Sequence, residues 1–245
     1  GDVYKRQVLL KFAEELSRAI LEKGEVYGIP ANLFEENCQI FLVPMVDPDG
    51  VDLVTGGIAQ GSIQWEQAKR LSNNYPSVPF PNGWKANLLG VDLNLQYPAR
   101  WLQAREIKFS QGYTRPGPRD YVGKAPLTQR ESRALADFTN YLDPALILAY
   151  HTQGEQIYWK YDDIDVPGAL ALGQEFARLS GYSLEETPYA SGFAGYKDWF
   201  IKVWRRPGFT IEAGLGENPL PISQFDTIYA KNLGILTTAA LGLPA

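Results

Sequence analysis

Apolar positions along this chain follow two patterns, one typical of helices and one typical of buried strands. Apolar residues three or four positions apart predict a helix over 8–23, with Gly24 as its C-cap. A capping box of Thr128 and Glu131 predicts that another helix opens there and runs to about Leu142. Further helices are predicted near 65–72, 168–180, 198–204 and 221–241.

Short continuous apolar runs predict buried strands, because a strand covered on both faces does not alternate with polar residues. The predicted strands are 39–46, 145–150, 156–159 and 209–212.

The segments between these elements are rich in turn-forming residues. The first predicted strand leads into 47–50, where the Asp-Pro-Asp-Gly sequence is typical of a turn. The stretch 51–126 is rich in Gly, Asn, Pro and aromatic residues, and it is predicted to be mostly loop. Long structured loops of this kind often build binding sites.

The order of the elements predicts a single α/β domain with a mixed, mostly parallel sheet and helices on both faces. The length of 245 residues suits one such domain. In these sheets ligands bind outside the carboxyl ends of the strands. His151 and Glu212 both stand at such ends, so the sequence predicts that they share a cleft.

The composition of the chain argues against two classes of partner, nucleic acid and membranes. The formal net charge is -5 and no basic stripe is present, which argues against nucleic acid as a partner. No apolar run approaches the roughly 20 residues of a membrane span, so no membrane is expected as a partner. Cys38 is the single cysteine and has no second cysteine with which to form an internal disulfide.

Three positions could carry chemistry. His151 is the only histidine, and an imidazole at the end of an apolar strand suits a metal ligand, an acid–base group or a buried hydrogen-bonded residue. Glu212 precedes a glycine-rich loop, where a carboxylate is either solvated or placed to accept a proton from water. The segment 83–98 is either a structured loop or a loop that presents the Lys85 ammonium and the Asn94 amide to a polar substrate.

Five segments in register give these positions a family context. They read VPMVDPDGVDLV (43–54), GWKANLLGVDLNLQYP (83–98), AYHTQGEQIYW (149–159), AGYKDWF (194–200) and RRPGFTIEAGLGENPLP (205–221). Together they resemble the zinc carboxypeptidase family, and within it the branch of the γ-D-glutamyl-meso-diaminopimelate endopeptidases. The resemblance implies a Zn²⁺-dependent metallopeptidase that hydrolyses peptide bonds in cell-wall peptides or muropeptides.

The resemblance also implies roles for individual residues in catalysis. His151 matches the later of the family's two zinc-binding histidines, and Glu212, in Thr210-Ile211-Glu212, matches the general base that activates water. Lys85 matches the basic residue that stabilises the tetrahedral oxyanion.

Three further residues are implied in substrate binding. Asn94 is retained from the motif that clamps a terminal carboxylate, but Leu95 replaces the arginine of that motif, which puts strict exopeptidase activity in doubt. Tyr189 is the candidate for the tyrosine that caps the substrate. Lys197 matches the base of the pocket for the residue after the cut, where a cation would favour diaminopimelate.

The start of the chain departs from the family pattern. The family's HxxE motif, which supplies a His and a Glu to zinc, should overlap or precede residues 1–3, yet 1–7 contain neither residue type. Residues 1–7 are therefore interpreted as an extraneous start, and 8–245 as a peptidase domain that lacks its N-terminal strands. The lost inner strand would leave backbone groups of its neighbours unpaired. Because His151 is then the only family ligand, little zinc binding and no turnover are expected of this chain.

Two other interpretations remain open at this stage. One is a deacylase of the same fold that acts on small N-acyl amino acids. The other is a non-catalytic domain that binds cell-wall peptides, which the loss of zinc ligands favours. The sequence leaves the compartment open between the outside of a bacterial cell and its cytoplasm.

Overall fold

The computed structural model describes residues 3–242, and helices alternate with strands over this range. The helices are α1 (Val3–Glu22), α2 (Asn32–Asn37), α3 (Pro48–Thr55), α4 (Ile63–Ser72), α5 (Trp101–Ser110), α6 (Arg130–Leu142), α7 (Ala169–Ser180), α8 (Tyr196–Trp204) and α9 (Phe225–Leu241). The strands are β1 (Glu25–Val26), β2 (Ile29–Pro30), β3 (Ile147–His151), β4 (Gln156–Tyr158), β5 (Ser183–Glu185) and β6 (Gly208–Glu212).

The main sheet of the described residues has four strands in the order β3-β6-β4-β5. β3 runs parallel to β6, and β4 runs antiparallel to β6 and parallel to β5. The prediction of a mixed, mostly parallel sheet is confirmed. The short strands β1 and β2, which the apolar pattern did not predict, form a separate antiparallel pair.

Different helices cover the two faces of β6, whose side chains point to alternate faces as in any strand. Phe209 packs edge to face against Phe176 of α7, with 4.9 Å between the ring centroids. A side chain at the neighbouring Gly208 would instead meet Phe200 and Ile201 of α8. The prediction of helices on both faces is therefore confirmed, and glycine at 208 lets α8 approach the strand closely.

The predicted strand at 39–46 is wrong. The backbone from Cys38 to Met45 has no regular secondary structure, although Cys38 itself has the extended dihedrals φ -147° and ψ 159°. None of the described residues pairs with this segment through backbone hydrogen bonds. An apolar run forms a strand only when a neighbour supplies the other half of the ladder, and no described strand lies beside it.

A cavity of about 910 Å³ lies against this segment. Residues 39–46 line it, and so do β3 and parts of α6 and α9. Within the described range β3 is bonded on one side only, to β6.

The predicted turn at 47–50 is instead the start of α3. Asp47 is the N-cap residue and accepts a hydrogen bond from the backbone N–H of Gly50 at 3.1 Å. Pro48 occupies the first helical turn, where its missing N–H costs nothing. The same Asp-Pro signal opens turns and helices alike. The stretch 51–126 is less loop-like than predicted, because it also contains α5.

Two predicted helix caps are also wrong. The hydroxyl of Thr128 contacts Gln96 and the Ala125 carbonyl rather than capping α6, which begins at Arg130. Past α1, the left-handed residue is Lys23, with φ 54°, and not Gly24. Buried Gln96 draws Thr128 away from the helix through a contact that local sequence does not encode.

The remaining predicted helices are present within a few residues of their expected bounds. The interpretation of 1–7 as an extraneous start stays a prediction. Residues 1 and 2 lie outside the described residues, and α1 begins at Val3.

Among residues 3–242, no helix combines the length and apolar character that a membrane span requires.

Candidate active site

His151 and Glu212 end two adjacent parallel strands and are direct partners in the β3–β6 register. Paired residues of neighbouring strands project to the same face of a sheet. Both side chains therefore lie on the face that α8 covers, and both are half-buried. The strand ends bring these two residues side by side. Only His151 of the two lines the neighbouring cavity, so the shared cleft stays a prediction.

Hydrogen bonds join the loops that follow these two strands. The backbone N–H of Ala213 donates to the His151 carbonyl at 2.8 Å, and that of Gly154 donates to the Gly214 carbonyl at 2.8 Å. The Thr152 hydroxyl donates to Asn218 Oδ1 at 2.9 Å, and Asn218 Nδ2 donates to the Thr152 carbonyl at 3.0 Å. Because both loops are fixed to each other, the imidazole and the carboxylate are held at a set separation.

The negative charge of Glu212 affects the pKa of a neighbouring tyrosine. Burial, followed by the negative charges of Glu212 and Glu185, raises the pKa of Tyr158. The Tyr158 hydroxyl donates to Gln156 Oε1 at 2.7 Å, and Gln156 is the partner of Glu212 on the other side of β6. The carboxylate of Glu212 thus faces a neutral phenol rather than a second negative charge.

Lys85 and Asn94 lie on loops that border the same cavity as His151. The Lys85 side chain is exposed, and its backbone N–H donates to the Pro118 carbonyl at 2.7 Å. The carbonyl oxygen of the Asn94 side chain accepts from the backbone N–H of Tyr196 at 3.1 Å, which directs the amide nitrogen elsewhere. Leu95, by contrast, is buried in the main apolar core.

A charged cluster beside these loops was missed by the sequence analysis. Buried Asp120 accepts from Lys108 Nζ at 2.7 Å and from Arg119 Nε at 2.6 Å. Burial raises the pKa of Asp120, but these two cations outweigh it and hold the pKa below its usual value. The only local signal was the adjacent Arg-Asp pair at 119–120, in a loop rich in Gly and Pro.

Asp92 connects this charged cluster to the Asn94 loop. Its Oδ1 accepts from the backbone N–H of Asn94 at 3.2 Å, and its Oδ2 accepts from that of Asp120 at 3.1 Å. Burial and the neighbouring charge of Asp120 raise the pKa of Asp92, while Lys85 acts in the opposite direction.

Asp47 is a second acid of the cavity that the sequence analysis did not select. Burial raises its pKa to about 7, against the hydrogen bond from Gly50, and the charge of Glu131 adds to the increase. Asp47 lines the cavity together with Lys85. A carboxyl group with this pKa exchanges protons near neutral pH.

Tyr189 and Lys197 lie outside the lining of this cavity. Tyr189 is 68% exposed, and its hydroxyl accepts from Gln103 Nε2 at 2.8 Å. Lys197 is 4% exposed, and its ammonium contacts Asp198 Oδ1 at 2.7 Å and donates to the Lys160 carbonyl at 2.6 Å. The roles predicted for both residues in substrate binding remain predictions.

Within residues 3–242, no group of three His, Cys, Asp or Glu side chains is placed to hold a metal ion. A structural or catalytic zinc site needs at least three protein ligands. The described residues therefore do not fit a bound zinc by themselves. What they offer is an imidazole beside a carboxylate, with an ammonium, an amide and a guanidinium on the neighbouring loops.

Comparison with known proteins shows the family to which the sequence of this chain is similar. The family model "Zinc carboxypeptidase" matches residues 6–233. The chain is 45% identical over 228 residues to gamma-D-glutamyl-L-diamino acid endopeptidase 1 of Lysinibacillus sphaericus, covering 93% of this chain and 55% of that protein. It is 39% identical over 233 residues to the uncharacterized protein YqgT of Bacillus subtilis (strain 168), covering 95% and 60%. The chain thus spans 55–60% of the length of these curated relatives.

Solved structures agree with the fold. The murein-tripeptide amidase MpaA from Escherichia coli O157 aligns with a TM-score of 0.50 and 17% identity, over 83% of this chain and 68% of that one. The carboxypeptidase A from Helicoverpa armigera aligns with a TM-score of 0.51 and 19% identity, over 81% and 50%. At this level of identity the likeness concerns the fold alone.

Proposed function

Because this chain belongs to the zinc carboxypeptidase family, we propose that it is part of a peptidase that cuts γ-D-glutamyl-diamino acid bonds in cell-wall peptides. The register that sets His151 opposite Glu212 at the strand ends carries the proposal. The substrate class is supported by the relative of 45% identity, which is named as a γ-D-glutamyl-L-diamino acid endopeptidase.

Glu212 is the proposed general base and later general acid. Its place at the strand end lets it take a proton from the attacking water and return it to the leaving amine. Lys85 is the proposed oxyanion donor, and a positioned donor of this kind is worth roughly 3–4 kcal/mol in the transition state. His151 is the residue proposed to hold the metal that the family implies.

Asn94 is proposed to bind a polar group of the substrate through the amide nitrogen that its contact with Tyr196 leaves available. Since Leu95 is buried in the core, no guanidinium from this motif reaches a terminal carboxylate. This supports cutting within a peptide rather than removal of its last residue. Tyr189 and Lys197 stay candidates for substrate binding, although the contacts of Lys197 support a structural role equally well.

For the chain on its own we expect little zinc binding and no turnover, because a single imidazole is too weak a site. The metal content of the purified protein, measured after dialysis from a zinc-containing buffer, tests this directly. Near-stoichiometric zinc would contradict it.

Peptide binding tests the proposed substrate class. We expect L-Ala-γ-D-Glu-diaminopimelate to bind in calorimetry, with no cleavage products in mass spectrometry of the same sample. An α-linked L-Ala-D-Glu-diaminopimelate peptide of identical composition is the control and should bind at least about tenfold more weakly. Equal affinity for both linkages would overturn the proposed substrate class.

The same binding experiments distinguish two alternative functions from the proposed one. A small-molecule deacylase would bind N-acetyl amino acids in preference to the γ-linked peptide. A non-catalytic cell-wall-peptide-binding domain is favoured, for these residues alone, by the lack of a three-ligand group within residues 3–242. It would bind the peptide without cutting it even inside the longer protein.

A further inference from the structure

Arg119 presents a guanidinium at the cavity that His151, Lys85 and Asn94 also line. Its Nε donates to Asp120 Oδ2, and no residue within 3–242 accepts a hydrogen bond from its two terminal nitrogens. The side chain is 39% exposed, so those nitrogens are accessible to a ligand. A guanidinium anchored through Nε is suited to bind a carboxylate through its outer edge.

The backbone fixes Arg119 next to the proposed substrate-binding loops. Its neighbour Pro118 accepts from the backbone N–H groups of both Lys85 and Ala86, at 2.7 and 2.9 Å. The next residue, Asp120, donates its N–H to Asp92, which also accepts from Asn94. Three loops are therefore joined at adjacent residues, and Arg119, Lys85 and Asn94 share one rim of the cavity.

Two cations beside Arg119's position on the rim compete for the same acids. Lys85, Lys108 and Arg119 are cationic, and Asp92 and Asp120 are their acidic neighbours. Asp120 is shared between Lys108 and Arg119 and can neutralise only one of them. The outer edge of the Arg119 guanidinium can therefore bind an anionic group of a ligand through charge-assisted hydrogen bonds.

A γ-glutamyl linkage differs from the α-linkage of its isomer in which of the two glutamyl carboxyl groups forms the bond. The bond is made through the side chain, so the α-carboxylate of the glutamyl residue remains free on the N-terminal side of the scissile bond. The motif at 92–95 supplies no arginine for a carboxylate, because Leu95 faces the core. Arg119 is the guanidinium on this rim that is available for one.

We propose that Arg119 binds the free α-carboxylate of the γ-D-glutamyl residue and so selects γ-linked substrates. This rests on the function proposed above and deepens it. It assigns to one residue the recognition of the group that distinguishes a γ-linked peptide from its α-linked isomer.

The test uses two peptides that differ in a single group, with calorimetry on the whole chain. One is L-Ala-γ-D-Glu-diaminopimelate, and the other carries D-isoglutamine, in which the α-carboxylate is an uncharged amide. We expect the carboxylate peptide to bind about tenfold or more tightly. In Arg119→Gln its affinity should fall to that of the amide peptide, whereas the affinity of the amide peptide should stay unchanged.

Matched variants separate this from a general effect on folding or charge. Arg119→Lys should keep part of the preference. Arg115→Gln, in an exposed position of the same loop that does not line the cavity, should keep all of it. Circular dichroism and thermal unfolding check that each variant is folded, and the comparison of the two peptides in the unmodified protein needs no variant.

The outcomes are distinct for the two proposals. If the carboxylate and amide peptides bind equally well, the assignment of Arg119 is overturned while the proposed function stands. If the preference persists in Arg119→Gln, the carboxylate is bound elsewhere and the assignment is again overturned. If neither peptide binds, the proposed function fails and this inference fails with it.

Discussion

Two apolar stretches of this chain border the same cavity, yet they have opposite structural states. Strand β3 is paired along its length with β6, in which Phe209 and Ile211 are fully buried. Segment 39–46 has a similar composition but no backbone partner within residues 3–242, and Phe41 and Val43 are 52% and 38% exposed. Apolar sequence sets the tendency to form a strand, and the presence of a neighbour decides whether it forms.

Amide hydrogen exchange should show the largest contrast between the two regions. The amides of 209–212 lie in the paired strand β6 and should exchange only when the core unfolds globally. Those of 39–46 lack backbone acceptors among the described residues. We expect exchange at least about a thousandfold slower in β6, since a stability of 5 kcal/mol or more corresponds to such a ratio. Mass spectrometry of peptic fragments measures both segments in one experiment.

Equal protection of the two segments would contradict this contrast. It would show that 39–46 gains a hydrogen-bonding partner in solution. Repeating the measurement over a range of protein concentrations would then tell whether that partner is a second copy of the chain.

Substitution of one phenylalanine in each region tests the same contrast energetically. Phe209→Ala removes a fully buried ring that packs on Phe176, and it should cost about 3–5 kcal/mol of unfolding free energy. Phe41→Ala removes a half-exposed ring whose neighbour is Phe138, at 6.3 Å between centroids, and should cost less than about 1 kcal/mol. Denaturant titrations give both values, and similar costs would mean that 39–46 is as well packed as the sheet.

The same contrast explains how much of the fold could be predicted from sequence. β3, β6 and α7 were predicted because their own periodicity specifies them and the chain supplies their partners. The segment 39–46 was predicted wrongly because no strand among the described residues pairs with it. Thr128 failed as a cap because a glutamine 32 positions earlier binds its hydroxyl.

The candidate site divides in a similar way. His151 and Glu212 could be predicted, because the carboxyl ends of adjacent parallel strands meet at one edge of a sheet. The rim formed by Arg119, Asp120 and Asp92 could not, since it depends on hydrogen bonds between residues about 28 positions apart. Loop–loop contacts of this range leave no periodic pattern in the sequence.

Helix α8, which covers the face of the sheet that carries His151 and Glu212, contains one buried and one exposed lysine that can be compared. Lys197→Met should cost about 3 kcal/mol, because it leaves the Asp198 carboxylate buried without its cation. Lys202→Met, an exposed position on the same helix, should cost no more than about 1 kcal/mol. Denaturant titration gives both values. Unchanged stability with weaker binding of diaminopimelate peptides would instead support the predicted role in the substrate pocket.

Asn218 offers the smallest and most local test, at the loops that join the two strand ends. Asn218→Ala removes two hydrogen bonds to Thr152, the residue that follows His151, and should cost about 1–2 kcal/mol. Asn37→Ala, just before the unpaired segment, removes one exposed hydrogen bond to the Leu33 carbonyl and should cost about 0.5 kcal/mol. Because the chain has a single histidine, selective isotope labelling of histidine gives the ring signals of one residue in an NMR spectrum. These signals should shift in Asn218→Ala and not in Asn37→Ala, since only the first loop holds the imidazole beside Glu212. Unshifted signals in Asn218→Ala would mean that the strand register alone sets the separation of the two side chains.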